Sequence, residues 1–377
     1  MVSHVRDKFD LAVVGAGILG LSCALAAARR ELRVVVIERD KRAQKASVRN
    51  FGFITVTGQD REGVWSRARR SRDVWDEVAT RAGIPIVQRG QWVAAQRPEA
   101  AAVLEAFMRT DMAEGCELIT PATAQQRCPD LQTSGLQAVL CSPHELRVES
   151  REAIPRLADW LASDYGVRFC WETAAHSVTP PKLETSRGTI LADAAVVCPG
   201  DDLVTLFPNL LADAGIGRCA LQMMRLESPG FELPGTVMSD LSLVRYGGFA
   251  TLREACVLRR RLESEQSEFL RNGIHLIVAQ GADGNLVVGD SHHYESTDEP
   301  FATERIYELL LDEYTKVVGR PPPAVRQRWI GTYAVANDGV VLIEAPAPDV
   351  RLVVVTSGIG ASTGFAIGEE VISELYN

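Results

Sequence analysis

The residues with the clearest chemistry stand near the start of the chain. Gly15, Gly17 and Gly20 form a G-x-G-x-x-G turn, GAGILG, and Glu38 follows eighteen residues after the last glycine. Each glycine has a physical use. Gly15 permits a tight turn, Gly17 lets backbone come against a pyrophosphate, and Gly20 lets a helix pack on a sheet. Ile18 lies where the helix would open, and free N–H groups with a positive dipole end attract phosphates there. Glu38 offers acceptors to ribose hydroxyls. The motif points to a dinucleotide and does not separate NAD from FAD. A second glycine-rich turn, GIGASTG (358–364), lies close to the C-terminus.

The surrounding elements fit that chemistry. DLAVV (10–14) is a short apolar run and reads as a buried parallel strand; LSCALAAARR (21–30) reads as a helix and RVVVIE (33–38) as the next strand. Residues 182–192 alternate like a hairpin and lead into a strand at 192–200; RLVVVTSG (351–358) is another strand, followed by a helix at 366–375. Between these pieces, 90–95, 218–227, 244–254, 275–280 and 285–294 read as strands of an antiparallel sheet. Helices are expected at 64–83, 151–166 and 302–319, the last stopped by Gly319 and Pro321-Pro322-Pro323. The charged face of 64–77 is expected to be solvated. The fold class is α/β: a discontinuous Rossmann-like cofactor-binding domain (1–88, 146–216 and 326–377) and a substrate domain with a large antiparallel β-sheet (89–145 and 217–325). A site at their interface follows.

Composition narrows the function classes. At ~150 residues per domain, 377 residues correspond to about two domains; 46% apolar and 24% charged residues exclude a disordered chain. A net charge of −9 leaves no basic surplus for a nucleic-acid backbone. Leu11–Ala28 is as long as a membrane span, yet it contains the three glycines and follows the mixed-charge HVRDKFD. A soluble cytoplasmic protein is expected, with no membrane partner. The eight cysteines (23, 116, 128, 141, 170, 198, 219 and 256) include no C-x-x-C pair and no zinc spacing, so they read as reduced, mostly buried thiols, and no metal is expected.

Five segments in order, VVGAGILG (13–20) with Glu38-Arg39, SVRNFGFI (47–54), AVVCPG (195–200), RWIGTYAVANDG (328–339) and TSGIGASTGFAIGEE (356–370), resemble the D-amino-acid oxidase, glycine oxidase and sarcosine oxidase superfamily of flavoenzymes. The resemblance covers nearly the whole chain and implies FAD. It implies that Gly15, Gly17, Ile18 and Gly20 serve the pyrophosphate, and that Glu38 and Arg39 lie at the adenosine ribose. Ser47, Arg49, Asn50 and Gly52 would lie under the isoalloxazine and ribityl chain, and Val178 would meet adenine through its backbone. Gly200 would pass close to the cofactor, and Gly358, Gly360, Ala361, Ser362 and Thr363 would approach the flavin O2/N1 edge. There, a helix N-terminus would stabilise negative charge. The sarcosine oxidases hold flavin covalently through a cysteine two residues before a matching tyrosine. Here that place is Gly331, which implies noncovalent FAD. GDSHHY (289–294), LQMMR (221–225) and VRYGGF (244–249) further resemble a bacterial branch linked to aminophosphonate breakdown.

The implied reaction oxidises a small primary or secondary amine, such as 2-aminoethylphosphonate or its N-methyl form, to an imine. Hydrolysis then gives aldehyde plus ammonia or methylamine, and dioxygen becomes hydrogen peroxide. The alternatives are a dehydrogenase using another acceptor and a noncatalytic FAD-fold protein. The stretch resembling the arginine-bearing strand of α-amino-acid oxidases offers Thr332 and Tyr333, so Tyr333 is expected in the pocket. Arg49 and His292 are the leading candidates to bind a substrate anion; Arg245 and Tyr246 are placed on a strand, and of His292 and His293 only one can face the site. Met223 and Met224 read as pocket lining or core. Oligomeric state is left open, a homo-oligomer included.

Overall fold

The structure, a computed structural model, describes residues 8–131, 134–295 and 301–377. Its first sheet is built on the βαβ unit expected at the start of the chain. The strand Lys8–Val14 pairs in parallel with Val34–Ile37 on one side and Gly188–Val197 on the other. Arg168–Cys170 extends the sheet beyond Val34–Ile37, and Val350–Val355 extends it beyond Gly188–Val197, both in parallel. Val341–Ala347 closes that edge antiparallel, and the hairpin Ala175–Thr179/Lys182–Thr185 pairs back onto Gly188–Val197. Four of these strands come from regions far apart in sequence, which is the discontinuity expected. Leu11–Ala28 divides into a strand, a turn and the helix Ile18–Ala28. Among the described residues, no helix is long and apolar enough to cross a membrane.

The second sheet has ten strands among the described residues, most of them antiparallel. Thr236–Ser239 against Ile86–Ala95 is a parallel pair, which makes this sheet mixed. Residues 326–335 are expected from the sequence in the cofactor-binding part; the strand that contains them, Val325–Val335, lies in this sheet, antiparallel to Gly217–Leu226 over ten paired positions. Two further expectations change. The segment 244–254 is not a strand: Asp240–Val244 is a 3-10 turn and Gly247–Ala250 a short helix. A Cβ on Gly248 would lie 2.5 Å from the Gln59 carbonyl oxygen, a close approach of backbone to backbone at the short helix. The segment 285–294 is two strands, Leu286–Gly289 and His293–Glu295, both facing Gly217–Leu226. Between them Asp290, Ser291 and His292 leave the ladder, and the Ser291 hydroxyl accepts from the Gln222 N–H at 3.1 Å.

The helix Val64–Arg81 is amphipathic, with Val64, Ala68, Ser71, Val74, Trp75, Val78 and Ala79 buried. Its charged face is less solvated than expected. Arg67 and Arg70 pair with Glu370 and Glu369 on the C-terminal helix Gly360–Tyr376, at 2.8 and 2.7 Å. The cysteines are free; Cys23, Cys128 and Cys219 are buried, whereas Cys256 is exposed.

Helix Gly360–Tyr376 lies directly on Ile18–Ala28. A Cβ on Gly368 would stand 2.7–2.9 Å from backbone atoms of Ser22 and Cys23, distances that no side-chain rotation relieves. Gly368→Ala is therefore expected to destabilise the protein by about 1–3 kcal/mol through overpacking. The measurement is the denaturant midpoint; an unchanged midpoint would refute the close approach.

Candidate active site

Local hydrogen bonds set the first glycine turn. The Glu38 carboxylate accepts the Ala16 N–H at 2.8 Å and the Asp40 N–H at 3.0 Å. The Ser47 hydroxyl accepts the Ile18 N–H at 2.9 Å, which ties the loop 46–50 to the helix start. The glycines differ in what surrounds them. A Cβ on Gly20 would lie 1.9 Å from the Gly15 carbonyl oxygen, and one on Gly15 would lie 2.4 Å from that of Cys198, at a φ of +103°. Gly17 meets only the Ser47 hydroxyl, at 3.0 Å, and lines an open cavity.

That cavity has a volume of about 790 Å³. It begins at Gly17–Gly20, passes Ser47, Arg49, Asn50 and Gly200, and reaches Gly358–Ser362. Here the N-terminus of Gly360–Tyr376 opens onto the same space, with no side chain capping it. Two helix starts thus present partial positive charge to one cavity. Trp75 Nε1 donates to the Ala361 carbonyl at 2.8 Å, and the Ser362 hydroxyl accepts the Thr55 N–H at 2.9 Å; both hold this second turn in place. Among described residues, a glycine and two helix N-termini meet at this cavity; Glu38 is not among the residues that line it and braces the turn through the Ala16 N–H.

Several expected contacts are placed differently. Val178 does not line the cavity; it is buried among Ala12, Val35 and Ile37 and pairs with Leu183 in the hairpin. Thr363 is buried with its hydroxyl on the Ile359 carbonyl. Arg39 pairs with Asp202 at 2.6 Å. Asn50 and Gly52 act on the loop itself: Asn50 Oδ1 accepts the Gly52 N–H at 2.7 Å and the Ser150 hydroxyl at 2.6 Å. A Cβ on Gly52 would lie 1.8 Å from the Val148 carbonyl oxygen, so its role is a backbone crossing.

The far wall of the cavity comes from the second sheet. Tyr333, on Val325–Val335, is wedged between the two ends. A Cβ on Gly358 would lie 3.0 Å from its ring, and on the other side the ring stands edge-on to His292 with centroids 6.3 Å apart. Burial pushes the Tyr333 phenol well above its usual range, so it stays protonated. The neighbouring Thr332 hydroxyl donates to Asp201 at 2.5 Å. Met223 lines the cavity, whereas Met224 is core. Arg49 is exposed at the cavity edge. Arg245 projects from the turn after Asp240–Val244 and donates to the Tyr294 hydroxyl at 2.8 Å.

The break in the ladder at 290–292 brings together three buried groups. His275 Nε2 lies 3.1 Å from Asp290 Oδ1, and His292 Nε2 lies 3.6 Å from Asp290 Oδ2. His292 Nδ1 is 2.9 Å from the Gly273 carbonyl. A carbonyl only accepts, so Nδ1 carries the proton and Nε2 of the neutral ring is bare. Burial, with Arg245 nearby, holds both imidazoles well below their ordinary range, and burial pushes the Asp290 carboxyl up to about 7. His292 is therefore an acceptor here, not the anion donor expected from the sequence. Of the two neighbouring histidines His292 lines the cavity and His293 does not. Sequence reasoning passed over Asp290 and His275. The available signal was the D-S-H spacing in GDSHHY; His275, fifteen residues upstream, gave none.

A dinucleotide turn on one sheet facing a polar chamber on another defines a cofactor-dependent oxidoreductase scaffold. Residues 10–374 match the family model described as FAD dependent oxidoreductase, and the chain belongs to that family. No curated protein matches the chain significantly. Among solved structures it is similar to L-proline dehydrogenase from P. horikoshii (TM-score 0.80, 19% identity, covering 99% of this chain and 94% of that one). It is also similar to glycine oxidase from Geobacillus kaustophilus (0.76, 17%, 98% and 94%). L-alpha-glycerophosphate oxidase from Mycoplasma pneumoniae, with FAD bound, gives 0.74 at 16% identity, covering 98% and 95%. At these identities the likeness is one of fold. The cofactor is FAD, in keeping with the cavity residues above.

Removing the Glu38 carboxylate takes a charged acceptor from two backbone N–H groups of the turn, at about 1.5–3 kcal/mol for each such bond. Glu38→Ala is expected to weaken FAD retention about tenfold or more. Flavin fluorescence released on dilution measures it, and unchanged retention would remove Glu38 from the turn's support.

Proposed function

We propose that the protein oxidises the carbon–nitrogen bond of a small primary or secondary amine bearing an anionic group, with 2-aminoethylphosphonate or its N-methyl form as the leading substrates. One observation carries this reading. The cavity wall across from the two helix starts holds a buried carboxylate, Asp290, together with a half-buried guanidinium, Arg245. A zwitterionic amine has the matching pair of charges. The names of similar structures, proline dehydrogenase and glycine oxidase, support an amino compound as substrate.

Bound FAD supplies the two-electron acceptor. The protein's residues bind and orient. Gly17, Ile18 and Ser47 shape the cradle for the diphosphate, and Gly358–Ser362 places a helix start beside the redox end. FAD is held noncovalently in this reading, since Gly331 has no side chain to bond it. Tyr333 separates the two halves of the cavity and positions the reacting carbon. Arg245, better enclosed than Arg49, holds the substrate anion; Arg49 guards the entrance. The imine then hydrolyses to aldehyde and ammonia or methylamine, and dioxygen accepts the electrons to give hydrogen peroxide. The cofactor-binding and substrate parts correspond in this reading to the first and second sheets.

The test is anaerobic bleaching of the flavin by glycine, sarcosine, D-alanine, 2-aminoethylphosphonate and N-methyl-2-aminoethylphosphonate. Bleaching by a phosphonate is expected. Rapid bleaching by glycine or D-alanine alone would overturn the substrate, and no bleaching by any amine would overturn the reaction. Tyr333→Phe is expected to slow bleaching about tenfold or more while FAD stays bound; equal rates would remove Tyr333 from the site.

A further inference from the structure

We infer that Asp290, set between His275 and His292, is the seat of the substrate's amino group and takes a proton from its ammonium form. This rests on the amine reading above and adds a residue and a step to it.

Cationic ligands need acceptors, and acceptors without donors are what this corner supplies. Asp290 Oδ1 and His275 Nδ1 are buried with no hydrogen-bond partner among the described residues. The 3.1 Å approach of His275 Nε2 to Oδ1 is not aligned as a hydrogen bond. His292 turns its bare Nε2 toward the same carboxylate. Other buried acids are used by the fold: Asp240 is paired with Arg97 at 2.9 Å, Glu145 accepts the Thr57 N–H at 2.8 Å, and Glu313 accepts Gln266 Nε2 at 2.7 Å. The two other carboxylates lining the cavity are also engaged, Asp201 by Thr332 and Asp60 by the Glu62 N–H. Glu145 Oε2 and Glu313 Oε1 are also without a partner, but neither residue lines the cavity; of the three carboxylates that do, Asp290 is the one with a buried oxygen that no described donor meets.

A bound proton, an ammonium or a divalent metal would each balance the corner. His275, His292, Arg245, Tyr246, Tyr294 and Tyr333 surround Asp290, and Cys219 lies behind them. The thiol is pushed up to about 11, and Tyr246 and Tyr333 also rise, so these stay neutral and Arg245 is the standing charge. A dication would meet that guanidinium unshielded. A zwitterion brings its own anion to it. Ammonium also has three N–H donors for these three acceptors. In the step, an N–H bond of the ammonium breaks and an O–H bond forms on Asp290. The electron pair stays on nitrogen as the lone pair of the free amine, and no electron is transferred.

The experiment uses the FAD-loaded protein and the panel amine that bleaches it. In the wild type, bleaching is expected to rise with pH through about 7, where Asp290 becomes able to accept. In Asp290→Asn it is expected to fall at least about 100-fold at pH 7 and to recover as pH approaches the amine's own pKa, ~10.4, where a growing share arrives already deprotonated. A second readout needs no turnover. A carboxylate whose pKa is raised to about 7 costs the fold progressively from ~3.9, where the unfolded carboxyl ionises, up to about 7, and by a constant amount above that, so Asp290→Asn should raise the melting temperature more at pH 8 than at pH 5. Unaltered bleaching by Asp290→Asn at pH 7 overturns the inference and leaves the amine reading standing. So does a melting difference independent of pH, or a stoichiometric divalent metal held by the dialysed wild type and lost in the variant. Should Asp290→Asn lose FAD, the wild-type profile decides: a dependence set only by the amine's own ionisation overturns it. If no amine bleaches the wild type, the amine reading and this inference fall together.

Discussion

The arrangement depends on the contact between the helices Ile18–Ala28 and Gly360–Tyr376. They come from opposite ends of the chain and touch through glycine: Gly364 meets Ser22 and Ile18 side chains, and Gly368 meets the Ser22 backbone. This closeness brings both helix starts to one cavity. Each start carries about half a positive charge, and together they face the place where a cofactor's phosphates and its electron-rich ring edge would lie. Arg67–Glu370, Arg70–Glu369 and Trp75–Ala361 then brace the second helix from its outer side.

The second sheet supplies the opposite wall by failing to be regular. Where Leu286–Gly289 and His293–Glu295 would form one continuous strand along Gly217–Leu226, three polar residues leave the ladder. Asp290 and His292, two residues apart, would share a face of an unbroken strand; in the break they leave the ladder and stand together against His275. Arg245 reaches the same wall from a turn. The result is a chamber with separated opposite charges, buried enough that each acts strongly.

How much of this was legible in the residues depends on the range of the interaction involved. The glycine turn, its flanking strands and Glu38 were readable because phosphate binding by a helix start is local: a few residues in fixed order do it. The family followed from five such segments in order. Tyr333 was readable because it sits inside one of them. The strand expected at 244–254 failed because its β-prone Val244, Tyr246 and Phe249 are needed in packing, with Phe249 tilted against Phe107 at 4.6 Å between ring centroids, and not in pairing. Val178 was implied only by the resemblance and through its backbone; its side chain serves the core of the first sheet.

The sequence by itself determined the α/β class, the FAD dependent oxidoreductase family and the cofactor turn, since short-range spacing and apolar pattern encode these. Only the tertiary structure decided which polar residues face the cavity. His275 and Asp290 are joined by no periodicity, and their meeting depends on a ladder break and on burial. Burial also decided protonation: an imidazole or carboxyl has an ordinary pKa in sequence, and loses it only when surrounding protein replaces water.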